Sequence, residues 1–167
     1  FSFDKVEKGN YRVAFTLATE DERKKGTPIK YAADDAYTSD FFSFVTTEYF
    51  DYDGNTEKTF TIPTFNVGWK SNLKPYKTEV TFPAKFSWSP ADQAKEYNVL
   101  VRDSNQNEVF KSANSTSTEF TWDGKDKNGQ ALKAGTYYYL VNVVFNTSSN
   151  KPSLTYGGSA LAEFTVK

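Results

Sequence analysis

At 167 residues, with 38% hydrophobic and 17% aromatic residues, the chain can bury a core of its own, and having no Cys it does so without disulfides. Lys and Arg number 20 against 21 Asp and Glu, so no basic surplus exists to neutralise phosphates; no apolar run approaches the roughly 20 residues that span a bilayer. Nucleic-acid binding and membrane insertion are therefore not expected, and the absence of His removes the commonest general base, the usual zinc ligand and the Ser–His and Cys–His nucleophile pairs.

The start, Phe1-Ser2-Phe3, carries neither a signal-peptide pattern nor an initiator Met, and reads as a piece of a larger protein. With 15 Phe, 11 Tyr, 3 Trp, no Met and little Leu, the composition suits strands over helices. Tyr11 to Leu17 alternates with period two and is expected to be a strand. The charged stretch Glu20 to Pro28 reads as a solvated loop or one helical turn. Phe41–Phe50 and Thr59–Trp69 are two further strand candidates, with Asp51-Tyr52-Asp53-Gly54-Asn55 as the turn that would pair them in a hairpin. Pro63 would place its strand at an edge or bulge.

From about Thr78 the texture changes to short apolar runs separated by turn signals. Strands are expected at Glu79–Phe82, Phe86–Pro90, Tyr97–Asp103, Glu108–Lys111, Ser117–Trp122, Tyr137–Phe145 and Ala160–Val166. Asp92 to Glu96 reads as one turn between two of them. Seven strands in this span suit a small Greek-key sandwich. The organisation expected is a β-rich N-terminal region over 1–77, as a domain or an extension, followed by a β-sandwich over 78–167.

Two motifs carry a resemblance. Phe86-Ser87-Trp88-Ser89-Pro90-Ala91 followed by Tyr97-Asn98-Val99 resembles the opening of a fibronectin type III domain, and implies that Trp88 fills the centre of the sandwich. The run Trp122-Asp123-Gly124-Lys125-Asp126-Lys127-Asn128-Gly129 through Gly135-Thr136-Tyr137 resembles an element of bacterial immunoglobulin-like domains of the flagellar hook-cap type. Such domains also occur as accessory modules of Gram-positive cell-envelope subtilisin-like serine proteases. The resemblance implies an all-β fibronectin type III-like or immunoglobulin-like sandwich, secreted or attached to the cell wall. Its partners would be neighbouring domains of the same polypeptide, with a host protein or a polysaccharide as further candidates. The absence of Cys from an Asn-, Thr-, Ser- and Lys-rich β-protein agrees with that location.

Candidate sites are few. Asp51, Asp53, Asn55 and Glu57 place oxygen ligands at alternate positions, as a calcium loop would, but without the spacing of a twelve-residue loop. A hairpin turn is the preferred reading there, as it is for Asp123-Asp126-Asn128 and Asp103-Asn105-Asn107. No cofactor is required, calcium being the one metal considered. Sugar-binding sandwiches stack exposed aromatic rings on pyranose faces, and with Trp88 and Trp122 assigned to the core, Trp69, Tyr49, Tyr52 and Tyr76 remain as the binding candidates. Packing of these four into the first region's own core, or into its contact with the second domain, is the preferred alternative. Tyr31 and Tyr37, in a polar stretch, are expected to be exposed.

Overall fold

β-Branched and aromatic residues at alternating positions produce strands throughout. The computed structural model describes residues 5–16, 44–57, 68–145 and 154–167, and among these it holds twelve strands and no helix. They are β1 (Gly9–Tyr11), β2 (Ala14–Thr16), β3 (Phe44–Thr47), β4 (Phe50–Tyr52), β5 (Thr78–Val80), β6 (Ala84–Ser87), β7 (Ala94–Arg102), β8 (Glu108–Lys111), β9 (Glu119–Trp122), β10 (Gly135–Phe145), β11 (Leu154–Gly158) and β12 (Ala162–Val166). The expectations for Glu20–Pro28, for 59–67 and for Tyr31 and Tyr37 lie outside the described residues.

The long strand β10 organises the fold. One of its edges pairs antiparallel with β7, which carries β8 beyond it. Its other edge is shared: Gly135 to Tyr139 pair with β12, and Asn142 to Val144 pair with β11. Beyond β12 lies β5, in parallel register. Beyond β11 lie β3 and then β2, so strands from the first third of the chain extend the same sheet. A second, two-stranded sheet, β6 with β9, faces the first, and the segment leading to Lys74 borders it through a bridge to Ser87. This is an all-β, immunoglobulin-like sandwich.

One local device recurs three times. Between the pairs Asn142↔Gly158 and Tyr139↔Ala162, the residues Leu140 and Val141 face three residues, Ser159, Ala160 and Leu161. Between Ala14↔Thr46 and Tyr11↔Phe50, Arg12 and Val13 face Thr47, Glu48 and Tyr49. Between Leu100↔Lys111 and the bridge Tyr97↔Ser115, Asn98 and Val99 face Ser112, Ala113 and Asn114. Each is a β-bulge with one extra residue, and a bulge leaves a strand N–H without its ladder carbonyl. A hydroxyl supplies the acceptor each time. Val141 N–H donates to Ser159 Oγ at 2.9 Å, Val13 N–H to Thr47 Oγ1 at 3.0 Å, and Val99 N–H to Ser112 Oγ at 2.9 Å. Each hydroxyl then donates to the carbonyl of the next residue, Ala160, Glu48 or Ala113. Each bulge residue's own N–H donates back to the valine carbonyl at 2.9 Å. The valine's polar groups are thus satisfied although the ladder is interrupted.

The core lies between the sheets. Phe86, Tyr139 and Phe164 are fully buried, with ring centroids 4.9 Å apart for Phe86–Tyr139 and 5.5 Å for Phe86–Phe164, both edge to face. That geometry favours the positive ring edge against a negative ring face. Tyr139 sends its hydroxyl to the Pro75 carbonyl at 3.0 Å, and burial pushes its phenol pKa far upward. Trp122 stacks on Phe110 at 4.8 Å and donates Nε1 to the Lys125 carbonyl at 3.0 Å. Val45, Trp69 and Leu73, all from the first 77 residues, belong to this same buried cluster.

Several expectations are corrected. The expected strand Tyr11–Leu17 is broken at Arg12 and Val13 by a bulge, and Leu17 lies outside the described residues. Of the expected strand Phe41–Phe50, residues 41–43 lie outside the described residues and the rest divides between β3 and β4; Asp51 and Tyr52 continue β4 instead of turning, because β4 finds its partner in β1. The turn expected over Asp92–Glu96 is present but shorter: it covers Asp92 and Gln93, where the Ala94 N–H donates to the Ala91 carbonyl at 3.3 Å, and Ala94 to Glu96 already belong to β7, which pairs with β10. Trp88 is buried in the core as expected, at 7% exposure and packed against Tyr97 at 5.6 Å, while Phe86, fully buried, makes the ring contacts to Tyr139 and Phe164. Strand β11, with its two glycines, has no counterpart among the expected elements.

Candidate binding ribbon

Both candidate sets meet on one feature. Strands β1 and β4 form a two-stranded antiparallel ribbon that prolongs the β2–β3 pair beyond the Thr47 bulge. Its register is Gly9↔Tyr52, Asn10↔Asp51 and Tyr11↔Phe50. Side chains alternate across a strand, so Tyr11, Phe50 and Tyr52 share one face, where all three are half-buried. Tyr11 anchors this face by donating its hydroxyl to the Glu7 carbonyl at 2.9 Å.

Asn10 and Asp51 share the opposite face, with Asn10 Nδ2 donating to Asp51 Oδ1 at 2.8 Å. The next cross-strand neighbours are Arg12 and Tyr49, with the guanidinium carbon 5.3 Å from the ring centroid, a cation–π distance. Asn10, Arg12, Tyr49 and Asp51 are all exposed, and Tyr49, at 61%, is the most exposed large hydrophobic side chain among the described residues. Sequence reasoning singled out Tyr49 and Asp51 for different roles and missed Asn10 and Arg12. The signal that joins them is the 9–11 with 50–52 register, which no local pattern carries.

The remaining candidates separate. Trp69 is 4% exposed and donates Nε1 to the Ser89 carbonyl at 3.0 Å, so its faces are committed to the core and it offers no stacking platform. Tyr52 lies on the ribbon's half-buried face. Tyr76 is 42% exposed, with Lys77 Nζ 5.4 Å from its ring, but it leads into β5, at the opposite end of the sheet order from β2.

The calcium candidates form a turn. Asp53 Oδ1 accepts the Asn55 and Thr56 N–H groups at 2.9 and 2.8 Å, and Oδ2 accepts the Thr56 hydroxyl at 2.7 Å. Asp51 faces Asn10, while Asn55 and Glu57 are exposed. Asp51, Asp53 and Glu57 do not converge, and no group of three acidic, His or Cys side chains suited to a metal occurs among the described residues. The Asp53 carboxylate does the work of an Asx-turn, which competes with ion coordination for the same lone pairs.

The other acidic turns follow the same logic. Asp103 is held below the usual carboxylate range by the Asn107 side chain, then by the Asn107 and Asn105 N–H groups. Asp123 is lowered by Lys125, whose Nζ lies 3.0 Å away, and Asp126 by the Gln130 and Asn128 N–H groups. In the Asp126 turn, Gly129 N–H closes on the Asp126 carbonyl at 2.9 Å, and φ at Gly129 is +78°. Gly124, at φ +79°, lies so close to the Phe82 ring that a Cβ there would overlap it. The motif's residue types are thus accounted for by turn closure and ring packing.

Residues 74–146 match the family model described as the FlgD Ig-like domain, a span that contains the Trp122–Tyr137 element. Among solved structures, CopC from Methylosinus trichosporium OB3b aligns at 20% identity over 55% of this chain and 84% of its own, with a TM-score of 0.34. PorZ, a surface component of the type-IX secretion system of Porphyromonas gingivalis, aligns at 17% identity over 60% of this chain and only 13% of its own, also at 0.34. Neither likeness is close enough to bear on function. No curated protein sequence matches the chain. With its sheet order, core and turn element, the chain contains an immunoglobulin-like β-sandwich, whose span 74–146 is similar to the FlgD Ig-like domain.

Proposed function

We propose that this chain is a non-catalytic accessory module of a secreted or cell-wall-attached bacterial protein, a spacer that positions a neighbouring domain. A cell-envelope serine protease is the parent we favour, from the Trp122–Tyr137 element. The supporting observation is where the polar groups go. The buried hydroxyls of Thr47 and Ser159 complete interrupted ladders, and the carboxylates of Asp53, Asp103 and Asp126 close their own turns. A module that spends its polar groups on shape suits a rigid spacer. Replacing these 167 residues in the parent with an unrelated sandwich of similar length tests this reading. Retained activity and retained surface attachment are expected; loss of either would refute a passive spacer.

A second reading, glycan binding, is favoured by one observation: the outward face of the ribbon groups an exposed ring with three polar side chains.

A further inference from the structure

We infer that the outward face of the β1–β4 ribbon holds one neutral pyranose unit of a polysaccharide, with Tyr49 as stacking platform and Asn10, Arg12 and Asp51 as hydroxyl-binding groups. This deepens the glycan-binding reading and is independent of what the parent protein is.

Asn10·Asp51 and Arg12·Tyr49 are successive cross-strand pairs on one face, so they lie about 7 Å apart along the ribbon. That separation matches a sugar ring lying on the tyrosine with its hydroxyls reaching the second pair. The Tyr49 ring carries partial negative charge on its faces, which attracts the weakly positive C–H face of a pyranose. Arg12 occupies one side of the ring at 5.3 Å, while the side chain remains 61% exposed. Asp51 contributes acceptors only, whereas the Asn10 amide both donates and accepts. Together they suit neighbouring hydroxyls, each of which must donate one hydrogen bond and accept another.

The charges select against acidic sugars. Arg12 and Asp51 are on the same face and offset each other, so a uronate approaching Arg12 would also meet the Asp51 carboxylate. The site is also preorganised. The 2.8 Å Asn10–Asp51 hydrogen bond and the Thr47 bulge hold both pairs before a ligand arrives, which lowers the ordering cost of binding.

The test is an array of neutral and acidic glycans probed with the labelled full chain, followed by titration of the best neutral oligosaccharide by NMR. Binding to neutral hexose polymers is expected, with Tyr49→Ala weakening it about tenfold or more. Tyr49→Phe should stay within about twofold, because stacking survives without the hydroxyl. Tyr76→Ala, remote from the ribbon, should change nothing, and all three variants should melt like the parent chain. A silent array, capture of acidic glycans alone, or undiminished binding by Tyr49→Ala each overturns the assignment. Domain replacement in the parent reads the spacer function separately, so either reading can fail alone.

Discussion

Replacing Ser159 with Ala removes one oxygen at the centre of the best-buried bulge. Ser159 and Val141 are both 0% exposed, so no water replaces the hydroxyl. The Val141 N–H, which donates to Ser159 Oγ at 2.9 Å, is left buried and without an acceptor. An unsatisfied buried polar group costs about 1–3 kcal/mol, and the vacated volume is too small to add much. For a chain of this length, that is about 2–4 °C of melting temperature per kcal/mol.

The recurrence of the device supplies an internal scale. Thr47→Val keeps the side-chain volume and removes the same type of bond at a position 2% exposed. Ser112→Ala removes it where the serine is half-buried and water can step in. The expected order of cost is therefore Ser159→Ala, then Thr47→Val, then Ser112→Ala, with the last within about 0.5–1 kcal/mol. Urea unfolding followed by Trp fluorescence measures all three, with m unchanged if the native and unfolded states keep their surface. A Ser159→Ala loss below about 0.5 kcal/mol, or a greater loss for Ser112→Ala, would refute the claim that the hydroxyls replace ladder carbonyls.

Further outcomes can be stated briefly. Gly124→Ala should destabilise by about 1–3 kcal/mol or more, read by the same unfolding experiment, since its φ of +79° and the Phe82 ring both oppose a Cβ. The carboxyls of Asp103, Asp123 and Asp126 are lowered in the folded state, so their stabilisation is complete above the unfolded carboxylate pKa and is lost as pH falls through the folded values. Melting temperature should accordingly drop on acidification below about pH 4, and a triple Asp→Ala variant should show a flatter profile. Saturating calcium should leave the melting midpoint unmoved, because Asp53 already spends both oxygens on its own turn; an upward shift would overturn that account. A fragment of residues 78–167 should aggregate or fail to melt cooperatively, since it lacks Val45, Trp69 and Leu73 from the core, each worth about 1.5–3 kcal/mol when buried. A fragment beginning at residue 68 restores two of the three and should recover part of the cooperativity.

What the sequence discloses depends on whether the signal is local. Strands β7, β8, β9, β10 and β12 announce themselves by alternation, and the Asp126–Gly129 turn by its residue types, because both arise from neighbours in sequence. Trp69 does not: it is buried in the shared core cluster with its indole N–H on the Ser89 carbonyl, a contact with a segment 20 residues away. The partner of β4 was equally hidden, since Gly9–Tyr11 lies about forty residues upstream and the adjacent Asp-Gly-Asn looked like a hairpin turn in its own right. The bulges are invisible for another reason. Serine and threonine at the end of an apolar run read as ordinary turn residues, and only the register identifies Thr47, Ser112 and Ser159 as ladder acceptors. The binding ribbon inherits both difficulties.

The bulge and the candidate site are one piece of architecture. In each copy of the device, the last of the three bulge residues lies opposite the first of the two facing it. At Ser112 this brings Asn114 to Asn98, hydrogen-bonded at 2.9 Å, and at Ser159 it sets Leu161 opposite Leu140, both buried. At Thr47 it brings Tyr49 to Arg12. The backbone solution is the same in all three, while the side chains differ with their surroundings: amides, two leucines, and, on the exposed ribbon, an aromatic ring with a cation. The extra residue also increases local twist, which orients the ribbon relative to the sheet that carries it. Thr47 therefore holds Tyr49 in place through the backbone without touching a ligand, and Thr47→Val should lower glycan affinity together with stability, whereas Ser159→Ala should lower stability alone.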